Sequence, residues 1–247
     1  MASLQPELIT QIAGFPVTNT IIATIAVDLI LLFFLYKAAK SIQVKPAGGI
    51  QSYVEPAITY MYELTEQISG SRAAKIFPWF ATFFIVIFVT NLFGLLPGIT
   101  AIGILEHDHG ETHLIPLFRA ATTDFNMTLA LGTVSVVATH LLTINTLGIF
   151  GYLQKFLSLN PVTLFIGLLE FVLEFVKIVS LSFRLFGNIF AGEVVLVTIT
   201  GLFAFLAPLP FIMLETIIAL VQALVFAMLT MVFMAVLSTP HSEGGGH

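Results

Sequence analysis

The run Phe171-Val-Leu-Glu-Phe-Val-Lys-Ile-Val-Ser-Leu-Ser-Phe-Arg-Leu-Phe-Gly-Asn-Ile-Phe190 decides how this chain is read. It is greasy enough for hydrocarbon, yet it carries an arginine at position 184. Arginine keeps its proton in proteins. A fixed charge in hydrocarbon is costly, so an intramembrane arginine is read first as functional. The rest of the chain agrees with a membrane setting. Of 247 residues, 57% are hydrophobic and 9% charged, against about 25% charged in a soluble domain.

Outward from this run, the apolar segments give an all-α polytopic membrane protein in a single domain. Spans are expected over 17–36, 76–96 and 127–147. Two longer apolar segments, 161–200 and 206–238, flank a proline-bearing turn, Gly201-Leu-Phe-Ala-Phe-Leu-Ala-Pro-Leu-Pro210. That makes about five membrane-embedded helices. Segment 51–70 is too polar to span, but Val54, Ile58, Met61, Leu64, Thr65 and Ile68 recur at helical spacing. It reads as an amphipathic helix on the membrane surface or on a partner, and an ordinary surface helix fits it equally. The tail 239–247 is polar and expected to be disordered.

Other features bound the function. The absence of cysteine excludes disulfides, thiolate metal sites and thiol redox chemistry. Met1–Leu8 lacks a basic n-region and a cleavage pattern, so it is not read as a signal or transit peptide. Basic residues follow the first span (Lys37, Lys40, Lys45), precede the second (Arg72, Lys75) and follow the third (Lys155). The positive-inside rule puts those loops in the cytoplasm. The N-terminus and the polar loop Glu106–Asp124 are then outside, and the C-terminus is inside.

Segment 161–200 poses a length problem. Forty helical residues are about 60 Å long, twice the hydrocarbon thickness of about 30 Å. Either the helix breaks, for which Ser180–Ser182 is a candidate, or it is tilted beyond the usual range of up to about 40°.

Helical phase sorts its polar residues. At about 100° per residue, Lys177 lies about 20° from Arg184, and Glu170, Ser180 and Asn188 lie about 40° away. These five form one stripe. Glu174 is three residues before Lys177 and close enough to pair with it. Glu193 is about 180° around and about 13.5 Å further along, so it is no simple ion-pair partner. Glu215 and Gln222 share a face of the last helix. An antiparallel hairpin would bring Glu193 level with Glu215 and Arg184 level with Gln222. The bland alternatives are a self-satisfied Glu174–Lys177 pair, hydrogen bonds between helices from Ser180 and Asn188, and protonated glutamates without a role. Arg184 has no carboxylate at i±3 or i±4, so its partner must come from another helix or another chain.

At these residues the chain resembles subunit a of F-type ATP synthases. Ser182-Phe-Arg-Leu-Phe-Gly-Asn-Ile-Phe-Ala-Gly-Glu193 is similar to that family's signature, and Gln222-Ala-Leu-Val-Phe-Ala-Met-Leu-Thr230, Asn91-Leu-Phe-Gly-Leu-Leu-Pro97 and Asp124-Phe-Asn-Met-Thr128 extend the likeness. The resemblance implies a stator that guides protons to and from a rotating c-ring of hairpin subunits. It implies a last helical hairpin lying strongly tilted against that ring. The family's essential arginine corresponds to Arg184. An outer proton path is implied at Asn188, Glu193, Glu215 and Gln222, with His140 beside it, or else as a hydrogen-bonded structural histidine. An inner path is implied at Glu170, Glu174, Lys177 and Ser180. The implied partners are the c-ring, peripheral-stalk b subunits, other ATP synthase subunits and membrane lipid, with no nucleic acid. No cofactor or metal is expected, and without a P-loop the nucleotide chemistry is left to other subunits. A proton is the default ion, with sodium open. The implied location is a bacterial plasma (inner) membrane, with an organelle-encoded membrane protein as the alternative.

Two features stand apart. Glu106-His-Asp-His-Gly-Glu-Thr-His113 is rich in metal-ligand types, but it reads better as a mobile external loop, and a proton-collecting funnel is the more attractive role. Asp28, inside the first span, is given only an interhelical hydrogen bond. A secondary transporter would call for inverted repeats, which the sequence does not show, and a passive scaffold would leave Arg184 unexplained.

Overall fold

The computed structural model describes residues 6–12, 14–41, 51–99, 102–108, 111–156, 161–202 and 208–239. Among them, helices dominate. A short antiparallel hairpin, β1 (Leu8–Ile12) with β2 (Phe15–Thr18), leads into α1 (Asn19–Ser41). Then come α2 (Gln51–Ser69), a 3-10 turn at Gly70–Arg72 and α3 (Ala73–Gly94). A second hairpin, β3 (Gly103–Asp108) with β4 (Glu111–Pro116), precedes α4 (Phe125–Phe156), α5 (Pro161–Leu202) and α6 (Pro208–Leu237). By length and composition, four helical stretches can cross a membrane: Asn19–Lys40, Val54–Gly94, Phe125–Phe156 and Pro208–Leu237.

The core forms where α3, α4, α5 and α6 meet. Ile76, Phe80, Phe83 and Ile87 of α3 repeat at three- and four-residue spacing and pack on Ala223, Phe226, Ala227, Met231 and Met234 of α6. The alanines of α6 let the helix backbones approach closely. α4 presents small and hydroxyl residues instead. Gly132 lies where an added Cβ would meet Ser182 Oγ at 2.6 Å and the Ile178 carbonyl at 3.0 Å. Ser182 Oγ donates to the carbonyls of Ile178 (2.7 Å) and Thr128 (3.1 Å), and Ser135 shares a 2.7 Å hydrogen bond with Thr230. α4 and α5 are thereby locked antiparallel, with Thr128 beside Ser182.

The expected long helix is unbroken: α5 runs 42 residues, about 63 Å. The third span is longer than the reading 127–147. The helix breaks at Gly148 (φ 74°, ψ 164°), which only glycine adopts easily, and resumes to Phe156. The two β-hairpins were not anticipated. Val17 and Thr18 belong to β2 rather than to the first span. Much of the polar loop 106–124 is paired strand, with Asp108 opposite Glu111. Asp28 is exposed and makes no hydrogen bond among the described residues, against the expected interhelical one. The tail beyond Thr239, Lys45, His109 and Gly110, and residues 203–207 of the turn lie outside the described residues.

Candidate functional site

α5 carries two opposed faces. Glu174, Leu181, Ser182, Leu185, Ile189 and Gly192 are buried, whereas Ser180, Arg184 and Asn188 are exposed, with Glu170 and Lys177 half-buried between. Arg184 therefore points away from the core. It lines a shallow groove of about 220 Å³ with Lys177 and Ser180, floored by Leu229 and Phe233 of α6. Among the described residues Arg184 makes no ion pair or hydrogen bond.

Toward the hairpin tip, four carboxyl or amide groups follow. The Asn188 amide donates to Gln222 Oε1 at 2.7 Å. Gln222 is 4% exposed and its own amide nitrogen has no partner. Glu215 is buried on α6 and lies directly against Gly192, where a side chain on that glycine would overlap its carboxyl. Glu193 is held by Arg119, whose Nε lies 3.1 Å from Oε1 and whose Nη2 donates to Oε2 at 3.1 Å. Arg119 is itself buried, in the segment between β4 and α4.

The packing of that segment explains how it reaches α5. Gly94 ends α3 with no room for a Cβ beside Ala120. Thr122 donates to Asn91 Oδ1 at 2.6 Å. Asp124 accepts from the Asn126 amide at 2.9 Å, which caps the start of α4, and also from Thr20 Oγ1 at 3.2 Å.

At the opposite end, Lys177 Nζ donates to Glu174 Oε1 at 2.7 Å and sits 4.7 Å from the Phe233 ring centroid. His140 Nε2 is 3.7 Å from the other Glu174 oxygen. Nearby, Arg72 donates to the Ala235 carbonyl, Ser238 Oγ and Thr239 Oγ1. Lys155 donates to the Leu237 carbonyl. Two cations thus satisfy the open carbonyl end of α6, where positive charge is favoured.

A family model described as ATP synthase A chain matches residues 20–235. The chain belongs to that family. It is 29% identical over 235 residues to a protein of Moorella thermoacetica named ATP synthase subunit a, covering 95% of this chain and 97% of the relative. It is 32% identical over 242 residues to the protein of the same name from Oceanobacillus iheyensis, covering 92% and 95%.

For this ATP synthase A chain member, the structure brings the stripe Lys177, Ser180 and Arg184 to one groove. It also joins Asn188 to Gln222. The helical register differs from the expected one, because Gln222 meets Asn188 rather than lying against Arg184. Side chains lean toward their own helix N-terminus, so across an antiparallel pair contacting residues are offset from those whose Cα atoms are level. Glu193 does not face Glu215; its neighbour Gly192 does, and Glu193 turns to Arg119. His140, read as beside the outer path or as a hydrogen-bonded structural histidine, lies beside Glu174 and within hydrogen-bond distance of Tyr152. The antiparallel lock explains this: His140 is twelve residues past Thr128, about 18 Å away from the Ser182 level. Arg119 and Tyr152 were missed. Only the need of Glu193 for a counter-charge hinted at Arg119, and no spacing signal singled out Tyr152. The side chains of the Glu106–His113 run are outside the described set. Among the described residues no group of three metal-ligand types comes together.

Proposed function

We propose that this chain is the membrane stator subunit of an ATP synthase, guiding protons through two half-channels to and from a ring of carboxylate-bearing hairpin subunits. The nucleotide chemistry belongs to other subunits of the complex. The observation that carries the reading is Arg184, a permanent cation on the exposed face of a 42-residue helix with no partner among the described residues. A ring carboxylate that reaches the groove meets an opposite charge, which favours its ionised form. Arginine cannot pass that proton on, so it separates the two paths.

Asn188, Glu193, Glu215 and Gln222 form the outer path in this reading. Glu170, Glu174, Lys177 and Ser180 form the inner one. α5 and α6 lie strongly tilted in the membrane with the Arg184 face against the ring, which accommodates a helix of about 63 Å in a core of about 30 Å. The b subunits of the peripheral stalk hold the chain still. The N-terminus is outside, the C-terminus is cytoplasmic, and the membrane is a bacterial plasma membrane. Each proton crossing 100 mV yields about 2.3 kcal/mol, so several steps accumulate as rotation for each ATP.

The test is Arg184→Ala in the intact complex reconstituted into vesicles. Proton-driven ATP synthesis is lost while the soluble head still hydrolyses ATP. Synthesis at the normal rate in that variant overturns the proposal.

A further inference from the structure

His140, Tyr152, Glu174 and Lys177 form a cluster of ionisable side chains between α4 and α5. Tyr152 Oη is 3.2 Å from His140 Nδ1. His140 Nε2 is 3.7 Å from Glu174 Oε2, a charge contact too long for a hydrogen bond. Glu174 Oε1 takes the Lys177 ammonium at 2.7 Å. Lys177 in turn lines the groove that holds Arg184. The cluster therefore reaches without interruption from the back of α5 to its ring-facing side.

A purely structural account leaves two things unexplained. Glu174 is already neutralised by Lys177, so it needs no second cation. Its Oε2 is nevertheless buried with no hydrogen-bond partner, a costly arrangement, and the imidazole is the group it faces. The titratable and charged groups around His140 are Tyr152 on its own helix and Glu174 and Lys177 on α5. α6 contributes only the Phe233 ring over which Lys177 sits.

We infer that His140 is a proton-exchanging residue of the cytoplasmic path, oriented by Tyr152 and coupled to the groove through Glu174 and Lys177. The inference rests on the stator reading. Histidine suits the task because its ordinary charge change falls between about pH 5 and 8. A proton reaching Glu174 Oε2 passes to Nε2 of the neutral ring. Glu174 returns to the anion paired with Lys177, and His140 becomes imidazolium. Loss of one proton to the cytoplasmic side restores the neutral ring, so the cluster carries one proton per cycle with no net change.

The test is His140→Gln in the intact complex in inverted vesicles, with ATP-driven proton pumping followed against the pH of the cytoplasmic face. Glutamine can still hydrogen-bond but cannot take up a proton. Pumping falls about a hundredfold, and its pH profile loses the inflection that the parent complex shows. A parent-like rate and profile overturns the inference. So does a lowered rate with an unaltered profile, which assigns His140 a packing role. Where His140→Gln does not assemble, Tyr152→Phe decides: the inference requires a displaced inflection, and an unmoved one overturns it. Arg184→Ala in the same vesicles tells the two readings apart. If it uncouples while His140→Gln changes nothing, only the inference fails; if Arg184→Ala pumps normally, the stator reading fails.

Discussion

Gly192 of α5 packs directly against the Glu215 carboxyl of α6, with no space for a side chain between them. The glycine is thus the reason a carboxylate fits inside this helix pair. Gly192→Ala is expected to push Glu215 out of place and slow passive proton flow about a hundredfold, with the subunit still assembled. Adding Glu215→Asp, which shortens the side chain by one methylene, should recover part of the flow. Glu215→Leu alone should slow flow more than it disturbs assembly. Parent-like flow in Gly192→Ala would remove the pair from the path.

The Arg119–Glu193 pair ties the segment before α4 to α5. Arg119 is nearly inaccessible while Glu193 is 28% exposed, so part of the lost attraction is recovered by solvent. Arg119→Gln should lower stability by about 1–3 kcal/mol. In the double variant with Glu193→Gln the cost should be smaller than the sum of the two single costs. A double-mutant cycle on the thermal unfolding of the purified complex measures this directly, and additive effects would mean the pair is energetically idle.

Asn188 and Gln222 join the two helices of the hairpin through one 2.7 Å bond. Asn188→Ala should cost about 1 kcal/mol, read as a shift in denaturation midpoint. Exchanging the two residue types, Asn188→Gln with Gln222→Asn, conserves total side-chain length and should restore most of the loss. Failure of the exchange to do better than either single change would show that the bond is incidental.

Arg72, from the 3-10 turn before α3, and Lys155, from α4, close the carbonyl end of α6. Arg72→Ala should cost about 1–3 kcal/mol and increase protease cleavage after Leu237. Arg72→Lys should rescue only in part, because a single ammonium cannot span the three acceptors that the planar guanidinium reaches. Full rescue by lysine would reduce the contact to simple charge.

Much of this arrangement was legible in the sequence because a helix converts spacing into direction. The stripe through Lys177, Ser180, Arg184 and Asn188, the opposed Glu193, and the Glu174–Lys177 pair all follow from 3.6 residues per turn. What escaped depends on contacts between segments distant in the chain. Nothing near Arg119 in sequence points to Glu193, seventy-four residues on. The depth of His140 is set by the packing of Gly132 and Thr128 against α5, which spacing within α4 does not reveal. The hairpins were missed because β2 continues an apolar run into α1, and because the polar run Glu106–His113 invites a chemical reading before a structural one.

The unbroken α5 acts as a reading frame for the polar residues along it. Inserting one residue between Lys177 and Glu193 would turn everything beyond it by about 100° and slide it by about 1.5 Å. The arginine, the amide and the carboxylate would then no longer face their own neighbours. No kink is present in this helix to absorb such an error, whereas α4 has one at Gly148. Insertions and deletions within α5 should therefore be lethal to coupling.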